Sequence, residues 1–83
     1  MDEKLILNNG TEITGHLVDA GGTLFLYLFG IGLREAFDLL IEPENVETIE
    51  WEKGGETGTV TGYGTLFLIA DVNGMIDARL TKN

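Results

Sequence analysis

His16 is the single histidine of this 83-residue chain, and so the first place to look for acid–base chemistry. A histidine base needs a nucleophile to deprotonate or a carboxylate to orient it. No spacing around His16 locates either, so it reads as a surface or edge-strand residue. A zinc centre would need further ligands of the right type, and the absence of cysteine removes thiolate ligands, thiol nucleophiles and disulfides together. Glu42, Glu44, Glu47, Glu50 and Glu52 form an acidic run that would hold a cation weakly; the alternation of Glu50 and Glu52 fits a solvated strand face better. Asp71-Val72-Asn73-Gly74 opens like a calcium loop, but such a loop needs a glycine at its sixth position and a glutamate at its twelfth, where Ile76 and Lys82 stand. Gly30-Ile31-Gly32 has the look of a dinucleotide fingerprint, yet Glu35 occupies the third glycine position and would repel a pyrophosphate. The aromatics Phe25, Tyr27, Phe29, Phe37, Trp51 and Phe67 have acidic or aliphatic neighbours, which suits a core better than a base-stacking platform. No catalytic, cofactor-binding or metal-binding residue is assigned on these grounds, and the expectation is a protein that is not an enzyme and takes no cofactor.

The elements that would position these residues centre on Leu24 to Ile41. Leu24 to Phe29 is apolar on both faces, so it predicts a strand that needs cover on both sides. After the glycine turn, Leu33, Ala36, Phe37 and Leu40 recur at helical spacing, with Arg34, Glu35 and Asp38 largely opposite, predicting an amphipathic helix over 33–41 that covers one face of that strand. Pro43 ends it near Ile41. Lys4 to Leu7 and Thr11 to Val18 flank Asn8-Asn9-Gly10, and a three-residue loop with Gly10 left-handed aligns Leu5 and Leu7 with Thr11, Ile13 and Leu17. Val46 to Glu52 reads as a half-buried strand with Ile49 and Trp51 on one face. Thr57 to Thr61 and Tyr63 to Val72 are strands punctuated by glycines that suggest a bulge or bend. Asn73-Gly74 then marks a hairpin into Met75 to Thr81; a two-residue turn sets Phe67 and Ile69 beside Ile76, Ala78 and Leu80, a three-residue turn Leu66, Leu68 and Ala70. Gly22-Thr23-Leu24-Phe25-Leu26 repeats letter for letter at Gly64-Thr65-Leu66-Phe67-Leu68, which reads as an ancient duplication or as β-rich sequence reusing a few residue types.

Composition sets the outer limits. The length suits one domain over 1–83, and 43% apolar with 23% charged residues is globular rather than disordered. The formal charge of −9, with only five scattered basic residues, argues against binding nucleic acid. The start of the chain lacks a signal-like basic and apolar pattern, and the longest apolar run is too short to span a bilayer, so a cytoplasmic, membrane-free setting is expected.

Leu5 to Ile13 in the order Leu-x-Leu-x-Asn-Gly-Thr-Glu-Ile, Glu35-Ala36-Phe37, Pro43-Glu44-Asn45-Val46 leading to Ile49, Gly62-Tyr63 with Leu66, and Asn73-Gly74-Met75-Ile76 with Leu80 together resemble small acidic proteins encoded by prophages of Gram-positive gut bacteria, from tail or baseplate gene clusters. The resemblance covers most of the chain but consists of turns and core positions, and it carries no catalytic residue. It implies a structural or assembly role in the host cytoplasm or the virion, with other phage proteins or a second copy as partner and no small-molecule substrate.

The expected fold is α+β: a mostly antiparallel twisted sheet or partly closed barrel of about six or seven strands, with one helix near residues 33–41. The expected core is Leu5, Leu7, Ile13, Leu26, Leu28, Leu33, Phe37, Leu40, Ile49, Ile76 and Leu80. The expected function is a non-enzymatic, phage-tail-associated assembly protein presenting sheet edge and face to a partner. Two other readings stand beside it: an acidic DNA mimic or regulatory inhibitor of a basic host protein, and a small-ligand-binding domain.

Overall fold

The computed structural model describes residues 2–83. Seven strands alternate around two short helices in the order β1 (Glu3–Ile6), β2 (Glu12–Ala20), β3 (Thr23–Phe29), α1 (Leu33–Leu40), α2 (Pro43–Val46), β4 (Thr48–Lys53), β5 (Glu56–Thr61), β6 (Tyr63–Val72) and β7 (Met75–Lys82). All the pairings are antiparallel and form one sheet, β5-β4-β1-β2-β3-β7-β6. The α+β architecture expected of the sequence is therefore present, with one more helix than expected.

The two edge strands of this sheet, β5 and β6, are consecutive in sequence and separated only by Gly62. They run as one long strand bent at Gly62, whose φ of +87° suits glycine. The first half pairs with β4 and the second with β7, so the sheet must curl until its edges meet at this corner. The seam is not closed by a strand ladder. It is tied at Gly62, which donates to the Glu47 carbonyl at 3.2 Å and accepts from the Asn83 N–H at 2.8 Å. The helices sit at the seam: α1 packs on β6, and α2 on β6 and β4.

Inside the curl lies one core. On β3 the odd-even alternation sends Leu24, Leu26 and Leu28 inward, opposite Leu80, Ala78 and Ile76 of β7. Leu5, Leu7, Ile13, Ile49, Val46, Ala36, Leu40 and Tyr63 complete it. Nine of the eleven expected core residues are buried; Leu33 and Phe37 are not, at 41% and 36% exposed. The apolar arc of α1 is wider than one packing face, and the helix turns Ala36, Leu40 and part of Leu39 to the sheet. Small Ala36 allows close approach there, and Leu33, Phe37 and Ile41 are left on the outer side of the helix.

The expected strand from Val46 begins two residues later. Pro43 does end α1, but it then occupies the first turn of α2, where its fixed φ favours helix, and α2 drops Val46 into the core. Asn8 and Asn45 lock this connection: the Asn8 N–H donates to the Asn45 carbonyl, and the Asn45 side chain donates to the Leu39 carbonyl. The β1–β2 loop is the three-residue form, with Gly10 at φ +89° and Leu5 opposite Ile13. At Asn73-Gly74 the turn has two residues, both at positive φ, joining Val72 to Met75. Ile69 lies opposite Ala78 as a two-residue turn requires, but a bulge at Phe67 shifts the register, so that Leu66 rather than Phe67 faces Leu80.

The repeated pentapeptide falls on β3 and β6, which flank β7 on its two sides, so that Leu24 and Leu66 both lie opposite Leu80 and Thr23 and Thr65 both opposite Thr81. The wider contexts differ. β2 and β3 form a hairpin, whereas β5 and β6 form one bent strand.

Candidate functional site

The outward face of β2, β3, β7 and β6 carries the side chains that the sequence left without an assignment. The aromatics of β3 point outward at half burial, Phe25 opposite Val18 and Arg79, Tyr27 opposite His16 and Asp77. The Arg79 guanidinium lies 5.2 Å from the Phe25 ring centre, close enough for a cation–π attraction. Its Nη2 is 3.5 Å from Asp77 Oδ2, two residues away on β7, and the pair is half-buried on the outside of the sheet. Asp77 Oδ1 and Arg79 Nε are buried with no hydrogen-bond partner among the described residues. Exposed apolar side chains stand on the same strands: Val18, opposite Phe25, is 39% exposed, Phe67 52% and Val72, opposite Met75, 46%. Phe67 owes its position to the bulge.

Toward the other end of the same face, His16 stacks on Tyr27 with ring centres 6.3 Å apart. Glu3 lies behind it, nearly buried, and its Oε2 is 2.8 Å from His16 Nδ1 and accepts from the Leu17 N–H at 2.9 Å. β1 starts at Glu3, and the carboxylate takes the β2 amide just beyond the end of the ladder. Here is the orienting carboxylate that spacing around His16 could not supply. Its trace in the sequence is parity, since Glu3 shares the inward alternation of Leu5 and Leu7. Among the described residues His16 makes no hydrogen bond to a hydroxyl. A shallow groove beside it is lined by Asp2, His16, Tyr27, Phe29, Lys53 and Met75.

The remaining polar groups have structural partners. Lys4, on the outer face of β1, bridges Glu12 of β2 and Glu52 of β4, each at 3.3 Å. The hydrogen bonds it donates to Glu52 and then Glu12, with their charges, raise the pKa of its ammonium above the ordinary value of 10.5. Tyr63 is buried and its hydroxyl donates to Asp19. That hydrogen bond, followed by burial and the Asp19 charge, pushes the phenol above its ordinary 10.0. Glu50 and Glu52 point outward and are exposed, as a solvated strand face requires. Asp71 accepts from the Gly74 N–H within the hairpin turn. Gly30, at φ +71°, makes the turn from β3 toward α1, and Glu35 stands in the first turn of that helix. No group of three or more histidine, cysteine or acidic side chains suited to a metal ion occurs among the described residues. No helix among them is long and apolar enough to cross a membrane.

No protein-family model, curated protein or solved structure matches the chain.

Proposed function

We propose that this is a non-enzymatic assembly protein that binds a protein partner through the outer face of β2, β3, β7 and β6. The observation that supports this reading is the exposure of the large apolar side chains Val18, Phe67 and Val72 on the same strands that carry Phe25 and the Arg79–Asp77 pair. Exposed apolar side chains gathered on one face mark interaction surfaces. A large aromatic displaced outward by a bulge is the kind of anchor that dominates protein interfaces. With a chain charge of −9, the partner is a protein surface with an apolar centre and a basic rim. The setting we propose is virion-tail assembly, on the strength of the resemblance of the turns and core positions.

A photo-crosslinking residue at Phe67, compared with one at exposed Asn9 in the β1–β2 turn, tests the reading in cells that also express the neighbouring genes. The expected result is one dominant crosslinked protein from position 67 and none from 9. Reconstituted with that protein in purified form, Phe67→Ser should weaken binding roughly tenfold or more while leaving thermal unfolding nearly unchanged. Equal crosslinking from both positions, or binding unaffected by Phe67→Ser, would overturn it.

A further inference from the structure

The bent strand leaves two free edges, and they differ. The β6 edge lies against α1 and α2, whereas β5 has β4 as its one substantial neighbour. The β5 edge also lacks the usual protection, since from Thr57 to Thr61 it carries no charge, proline or bulge.

We propose that β5 pairs antiparallel with β5 of a second copy of this chain, about a two-fold axis at Thr59. The geometry chooses the occupant and the register. Opposed residues of an antiparallel pair share a face. On β5, Gly58 and Val60 face inward with their partners Trp51 and Ile49, and Thr57, Thr59 and Thr61 face outward. Centring on Thr59 sets Thr57 against Thr61 of the second copy and Gly58 against its Val60. The outward row is then entirely threonine, and Val60 of each copy meets the Trp51 ring that lies over Gly58. Centring on Gly58 would instead oppose Glu56 and Val60.

Charge supplies the second argument. In the Thr59 register, Glu56 of the second copy falls opposite Gly62. The Lys82 stem runs past Gly62, with Cε within 3.7 Å of where a Cβ would stand, and its ammonium lies over the Tyr63 ring without a carboxylate partner among the described residues. Two symmetric Glu56–Lys82 pairs therefore join the copies, and no like charges face each other in the ladder despite the charge of −9. Pairing strands of this length gives a small interface, so the dimer belongs to the weak class, with dissociation on the order of 0.1 mM.

This inference shares with the proposed function only that the chain works through protein contacts; the two surfaces are separate. Sedimentation from about 10 μM to about 2 mM, with amide shifts recorded on the same samples, tests it. The expected result is a mass rising from 9.0 kDa toward twice that value, with concentration-dependent shifts confined to Thr57–Thr61 and the Lys82 end of β7. Lys82→Glu and Glu56→Lys should each weaken the dimer roughly three- to tenfold, and the double variant should restore it. Phe67→Ser should leave it unchanged. A monomer at every concentration would overturn the proposal, and so would a dimer that the charge variants leave unaffected. Loss of the dimer in Phe67→Ser alone would overturn it in favour of self-association through the outer face.

Discussion

Phe37 and Leu40 sit one turn apart on α1 and should respond unequally to truncation. Leu40 is fully buried and Phe37 is 36% exposed, so Leu40→Ala should cost about 2–5 kcal/mol and Phe37→Ala less than about 1 kcal/mol, read from urea unfolding. At Gly58 the problem is space. A Cβ there would come within 2.3 Å of the Trp51 ring, so Gly58→Ala should displace the indole, redshift its fluorescence and cost about 1–3 kcal/mol. The two perturbed groups predict the alkaline limb of stability. Lys4 and Tyr63 both hold their protons more tightly folded than unfolded, so their contributions are complete below their ordinary values of 10.5 and 10.0 and fade as pH rises through the higher folded values. Thermal unfolding temperatures should therefore fall above about pH 10, and Lys4→Met or Tyr63→Phe should each flatten that fall.

At the level of elements, what could be read from the chain follows its local chemistry. Asn8-Asn9-Gly10 and Asn73-Gly74 announce their turns because only left-handed backbone closes them, and glycine or asparagine supplies it. Gly74→Ala should accordingly cost about 1 kcal/mol, seen as a lower urea midpoint with unchanged slope. Strand alternation was legible on β7, where Ile76, Ala78 and Leu80 take every second position in the core, and at Leu5 and Leu7 around β1; β3 is apolar on both faces, and its alternation did not tell which face goes inside. What escaped depends on tertiary contacts. The bulge at Phe67 has no local cause in a run of β-prone residues, and it decides which of two adjacent large side chains goes inside. The facing of α1 is set by how closely Ala36 approaches the sheet, which an apolar arc wider than one packing face leaves open. Val46 has the β-branched chemistry of a strand, and Pro43 overrides it by starting a helical turn. The candidate site was least legible: Arg79 meets Phe25 only after β3 pairs with the last strand of the chain, and Glu3 meets His16 only once the loop length has fixed the β1–β2 register.

Over the whole molecule, the strand order puts β3 deep in the sheet, with its neighbours made at very different times. β2 precedes it by a short turn, but β7, its other partner, is the last strand of the chain, and Leu24 must wait for Leu80. A growing polypeptide therefore presents β3 with one edge unsatisfied while most of the protein is still to be synthesised. Thr23–Phe29 is uncharged, free of proline and rich in aromatics and leucine, the composition that favours stacking with other chains. Chains truncated after Gly74 should pellet on centrifugation and bind an amyloid dye at concentrations where the complete chain stays clear. Supplying residues 75–83 as a separate peptide during refolding should rescue part of them. The same strand that organises the finished core is thus, until β7 arrives, the segment most in need of shelter during synthesis.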